Sequence, residues 1–168
     1  IGLVSQDVFL FAGTLRDNIT LFNPLPNAKV LVTIEALGLM PFIDRMPRGL
    51  DMEIAERGAN LSVGERQFIS LSRIILYDPR VIILDEATSN MDPISEVLIQ
   101  QAIQKVTQDR TSIFIAHRLS TILHCDKIIV LNKGEKVEEG SHEALLRLGG
   151  LYSQLYKVYM KEELTGHG

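Results

Sequence analysis

Asp85 and Glu86 stand side by side in VIILDEATSNMDP, residues 81–93, directly after four consecutive apolar residues. A short apolar run of this kind predicts a strand covered on both faces. Ligand sites in open parallel sheets lie at the carboxyl ends of strands, which is where these two acids fall. One carboxylate there can hold Mg²⁺, with water kept in the ion's shell. The next can orient and deprotonate a water for attack on a terminal phosphate. The same pair would equally end a strand as two solvated acids, and this stretch alone is consistent with both.

LSVGERQFISLSRIIL, residues 61–76, offers a second place for a phosphate. Ser62 and Glu65 have the spacing of a capping box, each closing the other's backbone donor. Phe68, Leu71, Ile74 and Ile75 then form a core-facing stripe. A helix start also carries unpaired N–H groups and about half a positive charge. Gly64 in the first turn leaves backbone uncovered. With the Ser62 hydroxyl this makes a small anion-binding surface.

Around these residues strands and helices alternate. Residues 1–6 read as a short strand ending at Gln6. Pro24, Pro26, Pro41 and Pro47 divide residues 7–60 into short helices and loops, with one helix in NAKVLVTIEALGLMPFI stopped near Gly38. A helix runs from about Leu61 to Tyr77. Asp92 suits an N-cap and Pro93 a first helical position, opening a helix to about Val106. TSIFIAH reads as a second buried strand, and KIIVLNKGEKVEEG as two strands about a turn at Asn132–Gly134. Ser141 caps a helix, another follows Gly149–Gly150, and KEELTGHG reads as a frayed tail. Strand–helix alternation in the second half predicts an α/β fold with a mostly parallel sheet.

Composition narrows the class further. The 168 residues suffice for one domain with a core, and 46% apolar with 23% charged residues is ordinary for a globular chain. A net charge of −4 gives no reason to expect a nucleic-acid surface. The single cysteine, Cys125, forms no internal disulfide, which suits a reducing compartment, and it reads as a small half-buried residue. No apolar run approaches the ~20 residues that cross a bilayer. The chain begins at Ile1 with a strand already under way, the pattern of a piece of something longer.

Taken together, the motifs resemble the nucleotide-binding domain of ATP-binding-cassette (ABC) transporters, from Ile1 to about Tyr159. LSVGERQ resembles the signature motif, with Val63 where Gly is commoner. VIILDE is similar to the Walker B strand, and SNMD (89–92) to the D-loop, with Asn90 and Met91 replacing the commoner pair. FIAHRLST is similar to the switch region, and VSQDVFLFAGTLRDNI to the Q-loop and its sequel. LFAGTLRDNI and EIAERGANLS are similar to the exporter branch, with Ala55 where Gly is usual.

The resemblance implies a RecA-like P-loop NTPase core, partial and mostly parallel, with an inserted α-helical signature subdomain. It divides the chain into a core strand and Q-loop (1–6), a helical subdomain (7–77) and the part from Walker B to the C-terminal helices (78–168). It implies ATP and Mg²⁺ as ligands, Glu86 as catalytic base and Asp85 as a water-mediated Mg²⁺ ligand. Gln6 would contact the ion and the attacking water, and His117 the γ-phosphate. Ser62, Gly64 and Gln67 would face ATP bound on a second cassette, with Asp92 at that interface. Glu56 and Arg57 would touch a transmembrane domain, at the cytoplasmic face of a membrane. Their plainer reading is a solvated charge pair.

One expected part is missing. No Gly-Lys pair occurs in the 168 residues, so there is no G-x-x-x-x-G-K-[ST] phosphate loop. By the resemblance that loop lies upstream of Gln6, and the chain corresponds to the C-terminal two-thirds of a cassette. Alone, it is expected to bind ATP weakly, to hydrolyse none at a useful rate and to expose sheet edges. Two other functions compete: a soluble cassette ATPase of the chromosome-maintenance or DNA-repair type, and a non-catalytic regulatory half-site. The absence of heptads between Gln6 and Leu61 speaks against the first, and intact Glu86 and His117 against the second.

Overall fold

The computed structural model describes residues 1–5, 7–85, 91–115 and 119–165. The chain divides into two compact units, Ile1–Ile115 and Ala116–Gly168.

In the first unit, β1 (Gly2–Val4), β4 (Val81–Asp85) and β5 (Thr111–Ile115) form a parallel sheet in the order β1-β4-β5. Leu3 lies opposite Ile83, and Ile83 opposite Ile113, so the three strands end together at one edge. Between β1 and β4 the chain makes β2 (Gly13–Thr14), α1 (Leu15–Thr20), α2 (Asn27–Leu37), α3 (Met40–Arg45), β3 (Glu53–Ile54) and α4 (Val63–Tyr77). β2 and β3 pair antiparallel. α5 (Pro93–Thr107) crosses from β4 to β5. The α/β class with a parallel sheet is as expected, and α2 stops at Gly38, left-handed with φ 75°.

α4 is the pillar of this unit. It packs against α1, α2, α5 and β1. Phe68, Ile69 and Leu71 on α4 join Ile99, Ala102 and Val106 on α5 and the inward sheet residues in one core cluster. Phe68 stacks on Phe42 of α3, ring centroids 5.2 Å apart. Each such buried large apolar side chain stabilises the fold by roughly 1.5–3 kcal/mol.

The sheet's two faces differ. Val4, Ile82 and Leu84 are 0%, 0% and 2% exposed beneath the helices, whereas Leu3, Ile113 and Ile115 on the opposite face are 58%, 49% and 49% exposed. TSIFIAH was expected to be a buried strand; β5 instead alternates between exposed and partly buried residues. β5 is an edge strand among the described residues, and Ile113 and Ile115 on its outer face are about half exposed.

The second unit holds α6 (Leu119–Ile122), the antiparallel hairpin β6 (Ile128–Asn132) and β7 (Glu135–Gly140), α7 (His142–Leu148) and α8 (Leu151–Thr165). Lys133 and Gly134 take φ 50° and 82°, the geometry of a tight hairpin turn. Its small core is Ile128, Val130, Leu145 and Tyr152. Ser141 caps α7 as expected. Glu138 accepts from the Leu151 and Tyr152 N–H groups and so caps α8 from a neighbouring strand. Glu139 lies 2.6 Å from both Lys127 and Lys136, whose hydrogen bonds and charges hold its pKa down to about 2. Cys125 is half-buried, and burial pushes its thiol pKa up, in keeping with a packing role.

Candidate functional site

β1, β4 and β5 end at Val4, Asp85 and Ile115, on one edge of the sheet. This parallel arrangement puts Asp85 at a carboxyl edge, where open sheets hold ligands. Its side chain is partly buried. Gln6, Glu86 and His117 follow those three ends in sequence and lie outside the described residues. Asp85 presents a carboxylate, the donor type that hard cations take.

The start of α4 is built by the capping box read from the sequence. Ser62 Oγ accepts from the Glu65 N–H at 3.2 Å, and the Glu65 carboxylate accepts from the Ser62 N–H at 2.7 Å. The Arg66 N–H bonds to Ser62 O. The Val63 and Gly64 N–H groups are left without an acceptor among the described residues. They and the Ser62 hydroxyl sit where the helix field favours an anion.

Gly64 is required for a reason other than uncovered backbone. A Cβ there would meet Ser95 Cβ at 2.8 Å and Ser95 Oγ at 3.1 Å. The first turns of α4 and α5 therefore pack against each other through a missing side chain. Asp92, exposed, caps α5 by accepting from the Ser95 N–H at 2.9 Å. That hydrogen bonding, with a smaller contribution from the charge of Arg45, holds its carboxyl below the ordinary range. Ser62, Gly64 and Asp92 are thus brought together at two adjoining helix starts.

Gln67 is elsewhere. The expectation that it faces a nucleotide on another cassette is not how the structure places it: the side chain is 2% exposed, and its Nε2 donates to Ser5 O at 3.1 Å. The reason is helical phase. Gln67 lies four residues before Leu71 and seven before Ile74, on the stripe that faces the core. Counting back along that stripe from the sequence would have found this.

The segment after Gln6 is also pinned to α4. Arg73 donates to Phe9 O at 2.9 Å and to Asn18 O at 2.8 Å. Burial draws the Arg73 pKa down from its ordinary value, while Tyr77 opposes that shift. Asn18, fully buried, accepts from the Phe11 N–H and donates to Phe11 O, both at 2.9 Å.

Next to this segment lies a surface that the sequence reading missed. Phe9, Phe11 and Phe22 are exposed and meet edge to face, with centroids 5.0 and 5.7 Å apart. Leu21 and Phe22 hold φ of 50° and 61°, a costly conformation for residues with side chains. Glu56 and Arg57 lie in a turn that follows β3, whose Ile54 pairs with Gly13. Arg57 is also left-handed, with φ 57°, and Asn60 braces the turn through Ala55 N and Glu53 O. Spaced phenylalanines in a loop carry no periodic signal, so only the three-dimensional clustering shows them.

Residues 1–89 match the family model described as ABC transporter. The chain is 47% identical over 159 residues to an uncharacterized ABC transporter ATP-binding protein, YknV, of Bacillus subtilis, covering 94% of this chain and 26% of that protein. It is 43% identical to the probable multidrug resistance ABC transporter ATP-binding/permease protein YheH of the same organism, covering 94% of this chain and 24% of that one. Among solved structures it superimposes on a bacterial Atm1-family ABC exporter with ATP bound, with a TM-score of 0.82 and 39% identity over 93% of this chain and 27% of that one. This chain belongs to the ABC transporter family and corresponds to the ATP-binding part of its exporters. It spans about a quarter of the length of these relatives. Among the described residues no helix is long and apolar enough to cross a membrane.

Proposed function

We propose that this chain supplies the hydrolytic edge and the signature turn of an ATP-driven exporter, as the C-terminal two-thirds of one cassette. The observation that carries the reading is the parallel order β1-β4-β5, with Asp85 ending the middle strand and Gln6, Glu86 and His117 following the three strand ends in sequence. The edge belongs to one nucleotide, bound largely by a phosphate loop absent from these 168 residues. The α4 start belongs to a second nucleotide, held on a partner cassette.

In this reading Asp85, through water, and Gln6 would hold Mg²⁺. The ion, when bound, neutralises phosphate charge. Glu86 takes a proton from the water that Gln6 orients, and His117 contacts the γ-phosphate. Ser62 and the free N–H groups at Val63 and Gly64 close over the partner's nucleotide, with Asp92 beside them. Closing that second surface excludes water and strengthens each charge contact. ATP then joins the two cassettes and hydrolysis loosens them, a two-state element able to drive a membrane partner. The Phe9–Phe11–Phe22 cluster and the Glu56–Arg57 turn are where that partner docks, which places the chain at the cytoplasmic face of a membrane. Exposed aromatic side chains suit the centre of such an interface.

The test is ATP hydrolysis by the complete transporter. Replacing Glu86→Gln lowers kcat by about 10²–10⁴-fold, the usual contribution of a positioned base, while nucleotide binding persists. Unchanged turnover rejects Glu86 as the base.

A further inference from the structure

α4 touches the chain on both sides of Gln6. Before it, Gln67 Nε2 donates to Ser5 O at 3.1 Å; after it, Arg73 donates to Phe9 O at 2.9 Å. These bonds span 62 and 64 residues of sequence and start from one rigid helix. The helix is the one whose first turn carries Ser62 and Gly64.

Gln67 is an unusual choice for that position. Its Oε1 is buried with no donor among the described residues. A buried unsatisfied oxygen costs about 1–3 kcal/mol, comparable to the gain from the single bond that its amide makes. Stability alone would favour an apolar residue on this core-facing stripe, where Phe68 and Leu71 are its neighbours.

We infer that Gln67 and Arg73 bracket the Gln6 segment, and that Gln67 is a positioning residue fixing the entry to that segment relative to the start of α4. Gln67 acts through Ser5 and contacts no nucleotide. The inference deepens the functional reading above and, for its kinetic arm, rests on it.

The experiment uses the complete transporter with Gln67→Met, which keeps the volume and removes the donor, and Gln67→Glu, which turns an acceptor toward Ser5 O. Loss of one such bond in the working geometry lowers kcat about five- to tenfold in Gln67→Met, and further in Gln67→Glu, with KM for Mg-ATP within about twofold of wild type. A rise in KM of about tenfold with kcat unchanged would mean direct nucleotide contact and overturn the inference. Hydrogen–deuterium exchange supplies an arm independent of activity. The peptide covering residues 5–9 exchanges about tenfold faster in Gln67→Met, while a peptide from α5 does not change. Unchanged exchange at 5–9, or faster exchange with wild-type kcat, overturns the bracket. A wild-type protein without ATP hydrolysis would sink the functional reading instead, and the exchange arm would then decide the bracket by itself.

Discussion

The tip of β4 presents a carboxylate and the start of α4 presents N–H groups and a hydroxyl, and the two places are held in different ways. The α4 start is fixed locally: a capping box closes it, and Ser95 of the next helix fills the space over Gly64. The β4 tip owes its position to pairing with β1 and β5, remote in sequence, and to a sheet with one packed face and one open face. A local device survives changes around it. A strand tip is only as well placed as the layer beneath it.

The largest effect in stability is therefore expected under the strand tip. Ile82→Ala removes a fully buried side chain, and denaturant unfolding of the chain should show a loss of about 2–5 kcal/mol. A loss as small as that of a surface substitution would mean that β4 does not rest on this core.

At the helix start, Gly64→Ala forces a methyl group against Ser95 and costs about 1–3 kcal/mol. Adding Ser95→Gly opens the space, so the double variant should be more stable than the sum of the single losses by about 1 kcal/mol. Simple additivity would remove the packing explanation for Gly64. Ser62→Ala leaves the Glu65 N–H without its acceptor, for about 1 kcal/mol in the same assay.

The smallest effect belongs to the open face. Ile113→Ala on the chain should stay within about 0.5 kcal/mol of wild type, as surface substitutions do. A loss near that of Ile82→Ala would show that something covers this face.

Much of the α4 start was legible in the sequence because its determinants lie within a few residues of one another. Ser62 and Glu65, Asp92 and Pro93, and the stop at Gly38 are local signals, and each appears where it was read. The strand at 81–85 is legible as an apolar run, but the burial of both faces that the run predicts is not found: Ile82 and Leu84 are buried, Val81 and Ile83 only partly. An apolar run states what a strand can tolerate, and which layers lie against it depends on distant chain. Gln67 was misplaced by reading the motif ahead of the helical phase. Gly64 was assigned to the right turn for an incomplete reason, since its neighbour Ser95 lies on another helix. The phenylalanine cluster was hidden because its members come from two loops that meet only in space.

In the proposed function the chain carries Asp85 and the α4 start, while most phosphate contacts come from a loop that these 168 residues lack. Isothermal titration with Mg-ATP, on the 168-residue chain and on the complete transporter, tests this most directly. Dissociation constants are expected in the micromolar range or tighter for the transporter and in the millimolar range or weaker for the chain. Micromolar binding by the chain alone would contradict it.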